Sequence, residues 1–158
     1  MVLRARRRAT FAVASVAVLA LVFAGCSSDD DGGEETGAAG AVAVTLQEFA
    51  ILPSASSAPA GDVTFDVTNT GPDDVHEFVV FQTDLAPDAL PTNEDGSVDE
   101  EGEGVALQGE IEDIAVDETQ TLTLDLAAGS YVFVCNIFDP AEQEAHYQEG
   151  MRVAFTVE

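Results

Sequence analysis

The segment Val63-Thr64-Phe65-Asp66-Val67-Thr68 alternates apolar and polar side chains, as a strand with one buried face must. The same alternation returns over Thr119–Leu126 through Leu122, Leu124 and Leu126, and at the C-terminus through Met151, Val153, Phe155 and Val157. Ala41 to Leu46 begins another strand. Val75 to Phe81 is nearly all apolar and reads as a central strand, and Gly129 to Ile137 puts Tyr131, Phe133 and Cys135 on one side. Turn signals separate these runs at Pro59-Ala60-Gly61, Asn69-Thr70-Gly71-Pro72-Asp73 and Ala128-Gly129. Pro53 to Gly61 reads as a Ser/Ala/Pro loop. Short strands at regular spacing with no long helical period predict an all-β fold, an antiparallel Greek-key β-sandwich.

One stretch interrupts the pattern. Residues 84–109 centre on Asn93-Glu94-Asp95-Gly96-Ser97-Val98-Asp99-Glu100-Glu101-Gly102-Glu103, which is acidic and turn-forming. No register of it satisfies a calcium-binding EF-hand loop, because aligning the glycine to Gly96 or Gly102 misplaces the final glutamate. A solvated acidic loop is expected, opened by a helical turn near Ala86 to Leu90.

The N-terminus follows other rules. Arg4, Arg6, Arg7 and Arg8 form a basic region, and Phe11 to Phe23 form an apolar run too short for a membrane span, which needs about 20 residues. Residues 1–25 therefore read as an export signal. It closes on Val22-Phe23-Ala24-Gly25-Cys26, which resembles a bacterial lipobox and makes Cys26 the expected lipidation site. Residues 26–40 hold Ser, Asp, Gly, Glu and Ala with no large apolar side chain, the composition of a disordered tether. Residues 41–158 then form one domain, expected on the outer face of the cytoplasmic membrane.

Export changes the cysteine arithmetic. The chain has two cysteines, and in an exported protein two would ordinarily pair. A lipid on Cys26 leaves Cys135 alone in an oxidising compartment, where a thiol must be buried or bound. Charge adds an exclusion. All 30 acidic residues follow the signal, there is no lysine, and Arg152 is the one arginine beyond it. Such a surface argues against nucleic acid and against docking on anionic lipid, and fits solubility or a basic or cationic partner.

The candidate chemistry gathers where strands end. Cys135 closes the run Gly129-Ser-Tyr-Val-Phe-Val-Cys135, and His146-Tyr-Gln-Glu-Gly-Met151 precedes the last strand. The other histidine, His76, opens the strand through Phe81. One thiolate, two imidazoles and a weak axial thioether are the ligand set of a blue-copper electron-transfer site. Singly, His76 and Met151 would be ordinary core residues and Cys135 a small buried hydrophobe. Their coincidence is what singles them out.

These motifs resemble those of the cupredoxins, the plastocyanin and azurin family. Gly-x-Tyr-x-Phe-x-Cys is present as Gly129, Tyr131, Phe133 and Cys135, and His-x-x-x-x-Met as His146 and Met151. The chain is most similar to sulfocyanin-like actinobacterial copper-binding lipoproteins, through Pro59-Ala60-Gly61-Asp62-Val63-Thr64-Phe65, His76-Glu77-Phe78-Val79-Val80 and Cys135-Asn136-Ile137. The resemblance implies His76, Cys135 and His146 as equatorial ligands of one copper ion cycling between Cu(I) and Cu(II), with Met151 axial. It departs from the family between Cys135 and His146, where ten residues intervene instead of four and Ala145 replaces a glycine. The implied function is a membrane-anchored electron carrier, a monomer serving extracytoplasmic redox proteins. A copper delivery or storage protein and a metal-free interaction module are the alternatives. Copper enzymes with catalytic centres need more than two histidines, so no enzymatic activity is expected.

Overall fold

The computed structural model describes residues 41–158; the expected signal, Cys26 and the tether lie outside them. Eleven strands and one helical turn follow in order: β1 (Val42–Gln47), β2 (Ala50–Pro53), β3 (Ser57–Ala58), β4 (Gly61–Asn69), β5 (His76–Gln82), β6 (Ala106–Ile114), β7 (Thr119–Leu126), β8 (Gly129–Val134), β9 (Phe138–Asp139), β10 (Glu144–Ala145), α1 (His146–Glu149) and β11 (Arg152–Val157). Two sheets face each other, in the orders β2-β1-β4-β7 and β3-β11-β8-β5-β6, and β9 and β10 make a small hairpin of their own.

The sandwich is not wholly antiparallel. β1 runs parallel to β4, with Val44 opposite Val67, and β11 runs parallel to β3. Such pairs require the chain to cross from one sheet to the other between the partners, which alternation within each strand does not encode.

Alternation does decide what fills the middle. Val63, Phe65 and Val67 of β4 meet Phe78 and Val80 of β5, Tyr131 and Phe133 of β8, and Phe155 of β11 in one buried cluster. Phe65 and Phe133 stack edge-on at 5.2 Å, and Phe78 and Phe133 at 4.9 Å. Aromatic pairs of this kind contribute about 0.5–1.5 kcal/mol each beyond their burial. The hydroxyl of Tyr131 donates to the carbonyl of Ala127 at 2.7 Å, which ties the start of β8 to its own turn.

A second, smaller cluster lies on the opposite face of β5 and β8. There Val79, Phe81, Val132 and Val134 are covered by Leu90, Val98 and Tyr147. The cover is the acidic segment between β5 and β6. Its expected solvation is therefore corrected: Leu90 and Val98 are 6% and 1% exposed, while the carboxylates at Glu94, Asp95 and Glu101 point to solvent. A sheet face this apolar needs a lid, and two hydrophobic pegs in an otherwise polar loop provide it. The segment also ends sooner than expected, because Ala106 to Gly109 already belong to β6.

Candidate metal centre

His76, Cys135 and His146 are brought together at one end of the sandwich. β5 and β8 are antiparallel neighbours with Val79 opposite Val134, so the first residue of β5 and the residue just after β8 come to the same end of the sheet, two residues apart in register. The Nδ1 atoms of His76 and His146 are 3.2 Å apart, and the Sγ of Cys135 is 3.8 Å from the first and 3.4 Å from the second. All three residues are at most 2% exposed. Metal–nitrogen bonds of about 2.0 Å and metal–sulfur bonds of about 2.3 Å separate ligand atoms of one shell by roughly 3.2–3.9 Å. The spacing of the three donors is of that size, so they fit a single ion.

Met151 is fully buried in the same cluster as Cys135, and its backbone is laced to both neighbours. Its carbonyl accepts the N–H of Cys135 and its N–H donates to the carbonyl of His146, each at 3.0 Å. His146 opens α1 rather than lying in a plain loop. The lengthened connection before it does not displace it. The N–H of His146 donates to the carbonyl of Ile137 at 2.9 Å, closing the excursion at its base, and the intervening residues project as the β9–β10 hairpin. Gly150, at φ 129°, turns the chain from α1 into β11, and a side chain there would come within 3.2 Å of the Phe49 carbonyl.

Burial pushes the Cys135 thiol up to about 12, outweighing the backbone hydrogen bonds that favour the thiolate. One of these comes from the N–H of Glu77, 3.3 Å from Sγ. A metal is what would take the proton off such a sulfur. Both imidazoles are held below their ordinary basicity, first by burial. Neutral nitrogen donors and a thiol that ionises only against a cation match soft-metal chemistry.

Two further residues at this centre escaped the sequence analysis. The β1–β2 turn sets Phe49 edge-on to His146 at 5.3 Å, and sets Glu48 Oε1 3.7 Å from Nε2 of His76. Turn residues carry no periodicity, and an acidic residue in so acidic a chain attracts no notice.

No protein-family profile matches the chain, and no curated protein does. Among solved structures it is similar to dithionite-reduced auracyanin from the photosynthetic bacterium Roseiflexus castenholzii, at 22% identity and a TM-score of 0.53 over 77% of this chain and 99% of that one. It is also similar to auracyanin A, a "blue" copper protein from Chloroflexus aurantiacus, at 19% identity and a TM-score of 0.47 over 75% and 100%. A third is azurin from Methylomonas sp. strain J, at 16% and 0.46 over 73% and 95%. The likeness to the first of these gives the fold: it is that of the cupredoxins. Within that fold the chain carries a blue-copper-like donor set, fitted to one copper ion.

Proposed function

We propose that the protein is a single-copper electron carrier tethered to the outer face of the membrane through a lipid on Cys26. The observation that carries the copper reading is the convergence of two imidazole nitrogens and one thiol, 3.2–3.8 Å apart in a buried pocket, with Met151 alongside. Copper there would supply a one-electron couple between Cu(I) and Cu(II). The protein's part is to hold the ligands still. His76 is fixed by β5, Cys135 by its bond to Met151, and His146 by its bond to Ile137, so little rearrangement accompanies transfer.

An electron needs a short way out. His146 lines a surface cleft whose walls include Asp73, Asp74, Asp113, Asp139 and Phe138. Its ring is thus the buried ligand nearest a docked partner, and the cleft's carboxylates favour a cationic one. The lipid reading rests on Phe23-Ala24-Gly25-Cys26 in the sequence.

One experiment addresses both halves. Expressed in an exporting bacterium of the lipoprotein-processing type, the full chain should give membranes that turn blue on oxidation with copper present. Cys135→Ser should leave them colourless, and Cys26→Ala should move the blue protein to the soluble fraction. Colourless wild-type membranes containing the protein would overturn the copper reading. Blue wild-type protein found wholly soluble would overturn the tether.

A further inference from the structure

We propose that Glu48 is the outer partner of His76, accepting the proton on its Nε2 and so setting how strongly its Nδ1 donates to the metal. This rests on the copper reading above and adds to it a positioning residue from the β1–β2 turn. Among the described residues, two buried side-chain polar atoms lack any hydrogen-bond partner: Nε2 of His76 and Oε2 of Glu48. They belong to groups already in contact, with Nε2 of His76 3.7 Å from Oε1 of Glu48. A buried donor left unpaired loses its water without gaining a partner, so it is costly. The imidazole and the carboxylate are one short step from a bond: a shift of about 0.8 Å brings Nε2 and Oε1 to ordinary hydrogen-bond length, and Oε2 of the same carboxylate has no other partner.

Glu48 is built to stay where it is. Its Oε1 accepts the backbone N–H groups of Asp73 and Asp74, at 3.1 and 2.6 Å, in the segment that leads into His76. Two backbone N–H groups aimed at one carboxylate oxygen hold the side chain at His76 and favour an acceptor there. An imidazole whose Nδ1 faces a metal carries its single proton on Nε2. Donated to a carboxylate, that proton makes a charge-assisted bond and leaves the ring more basic. A more basic ring favours Cu(II) over Cu(I). His146 is placed differently: its ring edge lines the open cleft, where the half-buried carboxylates of Asp74 and Glu144 lie within 4.8 Å of a ring nitrogen. The two imidazoles are therefore unequally placed, and Glu48 is the carboxylate that meets His76.

Glu48→Gln separates this role from a merely structural one. Its side-chain carbonyl can still accept from Asp73 and Asp74, while the negative charge is lost and the unpartnered acceptor Oε2 becomes an N–H donor. The full chain, copper-loaded, should keep its thiolate-to-copper band and lose about tenfold in the ratio of Cu(II) to Cu(I) affinity. By voltammetry that is a rise of about 59 mV in reduction potential. An unchanged potential in a blue variant overturns the role of Glu48 and leaves the copper reading standing. A wild type that takes up no copper overturns both. Should the variant not fold, the wild type decides. In its Cu(I) form the His76 Nε2 proton should give a downfield, slowly exchanging NMR signal, and rapid exchange of that proton with water sinks the proposal.

Discussion

Glu77 sits one residue past His76 and on the other face of β5, where the metal centre meets the acidic cover. Its Oε1 accepts the N–H of Asn136 at 2.9 Å, and its own N–H reaches the sulfur of Cys135. Burial pushes its carboxyl up to about 7, against the help of the Asn136 bond and with added repulsion from Glu100, Glu110 and Glu112. The folded state therefore holds a proton on Glu77 at pH values where the unfolded chain, titrating near 4.5, has lost it. Between about 4.5 and 7 the unfolded state binds fewer protons, so this residue's contribution to stability is full below that window and lost as pH rises through it. The loss approaches roughly 3 kcal/mol above pH 7. In copper-free protein, Glu77→Gln keeps an acceptor for Asn136 and abolishes the ionisation. Urea unfolding across this range should show the variant gaining on the wild type as pH rises, and a difference independent of pH would refute the account. At this scale the gathering of donors was legible, because strand parity turns His76 and Cys135 inward on strands that meet at one end of the sandwich. Glu48 and Phe49 were not, since their places depend on a turn packing against strands far away in the sequence.

The element that sequence reasoning most misjudged is the segment between β5 and β6. Its charge argued for solvent, and most of that charge is in solvent. What mattered was the strands beneath it. Val79, Phe81, Val132 and Val134 are apolar on the face turned away from the main core, and a half-exposed sheet would carry polar residues there. The continuous apolar run of β5 already demanded a cover; only the covering residues were unidentifiable. Asn136, next to Cys135, pins that cover. Its side chain receives the N–H of Val98 and donates to the Val98 carbonyl at 3.0 Å and to Glu100 at 3.1 Å. Tyr147, next to His146, grips the other half, donating to the Pro87 carbonyl at 2.9 Å and accepting from the N–H of Leu90 at 3.2 Å. Asn136→Ala should cost about 2–3 kcal/mol for the polar groups it strands. Limited proteolysis should then cut within residues 84–105 well before the wild type is cut there. Equal cleavage of the two proteins would mean that the apolar pegs alone hold the cover. β6 was missed for a related reason: two register shifts break its pairing with β5, and with them the alternation that marks a strand.

For the whole molecule the deciding quantity is the sign and placement of charge. Arg152, the only arginine or lysine after Arg8, is occupied: its guanidinium donates to the carbonyls of Tyr147 and Gln148 and lies 5.1 Å from the Tyr147 ring centre. The surface is left to carboxylates, and those around the cleft stand beside His146. A field of one sign draws in cations, and screening shortens its reach to about 10 Å at 0.1 M salt. Reduced protein should therefore pass its electron to a cationic metal-ammine oxidant fast at low salt and more slowly as salt rises. Ferricyanide, an anion, should show the reverse. Placement is tested by two paired substitutions of equal charge. Asp74→Asn with Asp139→Asn removes charge at the cleft, whereas Asp62→Asn with Asp125→Asn removes it where the start of β4 pairs with the end of β7. Asn69 closes β4 toward the metal end, with its side chain donating to the Asp74 carbonyl at 2.8 Å, so the second pair lies about seven residues, or roughly 23 Å, along the strand from it. If electrons leave through His146, the cleft pair should slow the cationic oxidant several-fold at low salt and flatten its salt dependence, and the distant pair should do little. Equal effects from both pairs would place the exit elsewhere or make the field act only through its total.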